Sequence, residues 1–225
     1  MTDTAPPLPT FSGHGLACVR SERVVFTELD FDLTAGDALV LLGPNGSGKS
    51  SLLRVMAGLL REATGELRWD GVPVREDREG HAARTHYVGH HDAVKPVLSV
   101  LENVLFWARL HDPATAADRA EAALDRLRLD HLAGMPGKLL SAGQKRRVNL
   151  ARLLAAPSQL WLLDEPTVAL DRASVKVLEA VIAEHRATGG IVVVSTHLDI
   201  DLPGGRELHL DEFGAPAAWA EGVWI

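Results

Sequence analysis

The chain has 225 residues with 23 Lys+Arg against 30 Asp+Glu, a formal net charge of −7. A chain of this length buries a core without covalent staples, and 46% hydrophobic with 24% charged residues is globular rather than disordered composition. The acidic balance speaks against nucleic acid as a partner, and the single cysteine, Cys18, excludes an internal disulfide framework and a cysteine-cluster metal site.

No run approaches the roughly 18 apolar residues that would span a bilayer. Met1 to Thr10 carries Asp3 and prolines instead of the basic start and apolar run of a secretion signal. The expectation is a soluble, cytoplasmic protein that another chain must hold if it works at a membrane. Residues 1–13 read as a flexible tail, and 14–225 as a single domain.

Leu16 to Leu33 reads as two strands with a turn at Ser21–Glu22, with Cys18 as a small apolar strand residue. Ala38 to Leu42 is an apolar run that suits a strand buried on both faces. Ser51 to Leu60 has helical spacing, and Glu66 to Trp69 followed by Asp70–Gly71 reads as strand and turn. Val97, Val100, Leu101, Val104, Leu105 and Ala108 form an amphipathic stripe. Ser99 stands as its cap, with Glu102 at the reciprocal capping position. Further helices are expected at Ala116 to Leu129, Gln144 to Ala155 (closed by Pro157) and Val175 to Arg186. Further strands are expected at Leu160 to Leu163, Ile191 to Val194 and Glu207 to Leu210. The fold class is therefore α/β, a mixed β-sheet core with an inserted α-helical subdomain at about 88–156.

Gly43, Pro44, Asn45, Gly46, Ser47, Gly48, Lys49 and Ser50 fit G-x-x-x-x-G-K-[ST] between a buried strand and a helix that continues through Ser51. The glycines let successive N–H groups face an anion, and the helix adds its positive dipole end. Lys49 suits the β- and γ-phosphates, and the Ser50 hydroxyl suits Mg²⁺. ATP or GTP binding follows. Leu160 to Leu163 delivers Asp164 at a strand end beside this loop, where it suits the Mg²⁺ shell. Glu165, the next residue, points differently and suits an attacking water.

Leu140-Ser141-Ala142-Gly143-Gln144 resembles the LSGGQ signature of the ATP-binding-cassette (ABC) ATPases, with Ala142 for the first glycine. The resemblance covers about residues 14–214. It implies a P-loop NTPase of the ABC type, working as a head-to-tail pair in which Ser141, Ala142, Gly143 and Gln144 face nucleotide held by the other copy. Ser195-Thr196-His197 is similar to the family's switch histidine, which holds the catalytic water. Ala169-Leu170-Asp171 is similar to the D-loop, which packs at the dimer interface. The glutamine that reads Mg²⁺ and the attacking water falls on His91. A histidine there donates a hydrogen bond or ligates a metal; the alternative is that it only fills space. The aromatic that stacks on adenine falls on Arg20, either a stacking guanidinium or an exposed strand residue.

Tyr87 to Leu110 and the segment Leu140 to Arg152 resemble the small ATPases of the cytochrome c maturation haem exporter, the CcmA family. This implies integral-membrane transporter subunits docking around Lys95 to Leu110, on the cytoplasmic face of the bacterial inner membrane. The work implied is haem export or release of a haem–chaperone complex. His81, His86, His90 and His91 read as solvated loop histidines, with no direct haem binding on this subunit. Alternatives are another small ABC exporter, a soluble ABC ATPase of ribosome or DNA work, and a P-loop kinase. The last leaves Leu140 to Gln144 unexplained.

Overall fold

The structure, a computed structural model, describes residues 9–197 and 200–214. Strands β1 (Thr10–Arg20) and β2 (Arg23–Thr34) form an antiparallel hairpin. Its turn residues Ser21 and Glu22 both have positive φ, 46° and 64°, the twist that suits a two-residue hairpin. Strand β1 starts inside the stretch expected to be tail. Phe11 is fully buried, and the Thr10 N–H donates to the Asp70 carboxylate at 2.7 Å. Cys18 is buried in the same strand. Strands β4 (Thr64–Trp69) and β5 (Val72–Pro73) complete a four-stranded sheet in the order β2-β1-β4-β5.

The mixture of strand directions is distributed over two sheets. The second has five strands, all parallel, in the order β6-β7-β8-β3-β9. They are β3 (Ala38–Leu42), β6 (Thr85–Val88), β7 (Leu160–Asp164), β8 (Ile191–Ser195) and β9 (Arg206–His209). Helix α1 (Lys49–Met56) lies between the two sheets, burying Leu52, Leu53, Val55 and Met56. The apolar runs of β7 and β8 serve two cores at once. Leu160, Leu162, Ile191 and Val193 face α1 and the antiparallel sheet. Trp161, Leu163, Val192 and Val194 face the helices. Strand side chains alternate between faces, so a strand covered on both sides must be apolar throughout.

Helices α3 (Val100–His111), α4 (Ala116–Arg126) and α5 (Ala142–Ala155) occupy the chain between β6 and β7 and share a core with α6 (Arg172–Ala187). Ser99 and Glu102 form the expected capping box on α3. Val97 precedes the helix, however, and is 84% exposed rather than part of its apolar stripe.

Helix α2 (Arg78–Arg84) and strand β6 carry no apolar period and are not anticipated from sequence. Asp77 caps α2 by accepting from the Gly80 N–H at 2.9 Å. Their formation corrects the reading of the histidines. His81 is 2% exposed; its Nδ1 accepts from the Trp69 indole at 2.8 Å, and its Nε2 lies 2.8 Å from the Met56 carbonyl. His86 is half-buried, bonded to the Ala156 carbonyl and set edge-on to Trp107. Burial, reinforced by Arg152, pushes the His86 imidazole down to about 4, so it is neutral at pH 7. Only His90 and His91 of the four are exposed, with ring centroids 5.5 Å apart. Two of the supposed loop histidines are therefore packing residues.

Candidate functional site

The loop from Gly43 to Gly48 joins β3 to α1. Two of its glycines are required by geometry. Gly48 has φ 105°, and a Cβ there would lie 2.6 Å from Val25. Gly43 has φ 132°, and a Cβ would meet the Ser47 hydroxyl at 2.8 Å. The loop folds over the Lys49 ammonium, which donates to the carbonyls of Gly43 at 2.6 Å and Pro44 at 3.1 Å. The Lys49 Nζ also lies 3.1 Å from His197 Nε2. Burial lowers the Lys49 pKa from the ordinary lysine value, and the charges of Glu165 and Asp164 oppose that shift.

Parallel pairing of β7 with β8 in the register Asp164↔Ser195 brings the acidic strand end to this loop. Asp164 is 2% exposed. Its carboxylate accepts from Ser50 Oγ at 3.0 Å, Ser195 Oγ at 2.7 Å and Tyr87 Oη at 3.4 Å. The next residue, Glu165, has φ 49°, so the chain turns sharply at the end of the strand. Its N–H donates to the Ser195 carbonyl at 3.0 Å. Its carboxylate accepts from the His197 N–H at 3.3 Å and lies 3.4 Å from His197 Nε2.

These residues line one open cavity of about 650 Å³. Its walls include Asn45, Gly46, Gly48, Lys49, Ser50 and Ser51, together with Asp164, Glu165 and His197. Arg20, Ser21 and Val25 are also among the residues that line it. From the loop after β6 it is His90 that reaches the wall, and the neighbouring His91 is not part of it.

The signature residues are elsewhere. Ser141 caps α5 and exchanges reciprocal bonds with Gln144, at 2.8 Å and 3.3 Å. Ser141 and Ala142 are exposed, and none of Ser141 to Gln144 lines the cavity of the same chain. Gly143 lets α5 approach the loop after β7; a Cβ would lie 2.6 Å from the Ala169 carbonyl. Asp171 caps α6 by accepting from the Ser174 N–H at 2.7 Å, which lowers its pKa.

One residue at the site escapes the sequence reading. Arg146 is 3% exposed and reaches from α5 to the carbonyls of Asp164 and Glu165. A signal for it exists in the spacing, because Arg146, Asn149, Leu150 and Leu153 fall at i, i+3, i+4 and i+7 and are all buried. The run Lys145-Arg146-Arg147 disguises it as a solvated basic face.

The family described as ABC transporter matches residues 26–168. A protein from Paramagnetospirillum magneticum described as "Cytochrome c biogenesis ATP-binding export protein CcmA" is 71% identical over 91% of this chain and 95% of its own length. A Rhodospirillum rubrum protein of the same description is 58% identical over 96% of this chain and 91% of its own. A solved ATP binding subunit of an ABC transporter superposes with TM-score 0.76 at 22% identity, covering 84% of this chain and 79% of that one, and shares the fold. With the phosphate loop, the strand-end carboxylates and the capped signature helix in place, these likenesses assign the chain: it belongs to the ABC transporter ATPases, in the CcmA family of cytochrome c biogenesis ATP-binding export proteins.

Proposed function

We propose that this chain is the ATP-hydrolysing subunit of a membrane exporter that moves haem, or releases a haem–chaperone complex, for c-type cytochrome biogenesis. The observation that carries the hydrolase reading is the delivery of Asp164 and Glu165 into the Lys49 cavity. The export reading rests on the likeness to the relatives named above. Lys49 and the loop N–H groups bind the β- and γ-phosphates. Ser50 and Asp164 offer hard oxygen donors 3.0 Å apart, a donor set that fits Mg²⁺. The ion supplies charge neutralisation on the phosphates when bound. Glu165 orients the attacking water and accepts its hydrogen bond. The water oxygen bonds to the γ-phosphorus and gives up a proton to the Glu165 carboxylate, the bridging P–O bond breaks, and ADP leaves with the bridging oxygen. His197, beside both Lys49 and Glu165, holds the γ-phosphate side of the site. Arg20 stacks on the base.

Ser141 to Gln144 and Asp171 act on a second copy arranged head to tail, since they stand off the cavity of their own chain. His91 takes the place of the family's glutamine on the loop that His90 also shares. His91→Gln is expected to retain or raise ATPase turnover, read as phosphate release; a collapse of turnover would show that the imidazole itself is needed.

No helix among the described residues is long and apolar enough to cross a membrane. The membrane subunits dock around Lys95 to Leu110, on α3 and the segment before it, with the chain on the cytoplasmic face of the inner membrane. Supporting this is a groove of about 400 Å³ lined by Leu98, Leu105, Phe106 and Leu110 with the charged Glu102 and Arg109, in which Phe106 is 53% and Leu110 67% exposed. Phe106→Glu is expected to abolish co-purification with the membrane subunits while leaving nucleotide binding by the isolated chain unchanged. Undiminished co-purification moves the docking surface elsewhere. No haem site is proposed on this chain, and a stoichiometric haem spectrum from the purified protein would overturn that.

A further inference from the structure

We infer that Arg146 is a positioning residue for hydrolysis: its guanidinium ties the backbone carrying Asp164 and Glu165 to the loop carrying His90, fixing one wall of the nucleotide cavity against the other. The inference rests on the hydrolase reading given above.

The geometry is complete at the level of individual donors. Nη2 donates to the carbonyls of Asp164 at 2.7 Å and Glu165 at 2.6 Å. Nε donates to the Pro166 carbonyl at 3.2 Å. Nη1 donates to the Gly89 carbonyl at 2.9 Å and to Asp92 Oδ1 at 3.3 Å. A guanidinium has five N–H donors in a rigid fork, and here each has an acceptor. Lysine offers three donors from one point and glutamine two, so neither reproduces the arrangement.

Both ends of the tie matter for chemistry. Glu165 sits at φ 49°, a backbone region that side-chain-bearing residues rarely use. Its N–H is held by Ser195 and its carbonyl by Arg146. The direction of the Glu165 carboxylate depends on that held conformation. At the other end, Gly89 and Asp92 bracket His90, which lines the same cavity as Glu165. Asp92 is the counter-charge of the buried guanidinium, and it is held a second time by Asn149 at 3.4 Å. Arg146 is itself no part of the cavity wall, so it acts through these residues and not on nucleotide.

The test uses the full chain and separates turnover from binding. Arg146→Gln is expected to lower kcat roughly 10- to 100-fold, the scale of a reacting group displaced by about an ångström. The KM for ATP and the affinity for a non-hydrolysable ATP analogue are expected to stay within about threefold, because the phosphate loop is untouched. Arg146→Lys is expected to recover part of the lost turnover, since its ammonium reaches some of the same carbonyls. Asp92→Ala keeps the carbonyl clamp and removes the carboxylate that Arg146 and Asn149 share, so it is expected to lower kcat about three- to tenfold at unchanged KM. The inference is overturned if Arg146→Gln leaves kcat within twofold, or if kcat and analogue affinity fall together in both variants. Should Arg146→Gln fail to fold, Asp92→Ala decides alone, and an unchanged kcat there overturns the tie. Absence of turnover in the unsubstituted chain with ATP bound would count against the hydrolase reading instead.

Discussion

Glu165→Gln is expected to lower ATP turnover by roughly 10²- to 10⁴-fold, the range attributed to a positioned acid–base group, while ATP still binds. The substitution removes the charge and keeps the shape. What holds residue 165 in place is main chain: its N–H on the Ser195 carbonyl and its carbonyl under Arg146. Those bonds survive, as does the contact between Lys49 and the loop carbonyls. Phosphate release should therefore collapse while the equilibrium affinity for ATP stays within a fewfold. Turnover within tenfold of the unsubstituted chain would remove Glu165 from the hydrolytic role. The same result separates hydrolase from kinase, because water alone serves as acceptor.

Lys49→Met is expected to weaken ATP binding roughly 10- to 100-fold and to abolish turnover. The estimate follows from charge-assisted hydrogen bonds worth about 1.5–3 kcal/mol each. Methionine keeps the buried stem of a residue only 7% exposed, so the fold should tolerate it. The carbonyls of Gly43 and Pro44 lose the donor that Lys49 supplies, so thermal unfolding of the variant is compared alongside. Titration with a fluorescent ATP analogue, checked by thermal unfolding, gives the comparison. Unchanged affinity in a folded variant would mean that the backbone N–H groups and Mg²⁺ carry the phosphates without the lysine.

Much of the site is legible in the chain because its chemistry is local. The phosphate loop is one contiguous string, and its strand and helix are its immediate neighbours. The capping box at Ser99–Glu102 is a three-residue relation and forms as expected; a second one, Ser141–Gln144, forms on the signature helix. The strand ending in Asp164 is apolar along its whole length, which already implies cover on both faces. What the chain hides is long-range. Arg146 and its Asp92 partner are separated by most of the helical insertion, and the helical spacing that buries Arg146 does not say which carbonyls it will meet. Helix α2 and strand β6 lack an apolar period because their burial comes from single residues such as His81 and Val88. His81 counts as polar by composition, yet it is buried once Trp69 and Met56 satisfy its two nitrogens.

The acidic chain with one cysteine and no bilayer-length apolar run already determined a phosphate-binding α/β domain, because periodicity, caps and a glycine loop act over a few residues. The family resemblance added the need for a second copy and a membrane partner. Only the tertiary structure decided which histidine faces the cavity, which histidines are interior, and that two distant segments meet on one arginine. Such choices depend on which side of a turn faces inward, and on whether a buried polar group finds its partner. Neither is settled until the sheets and helices have packed.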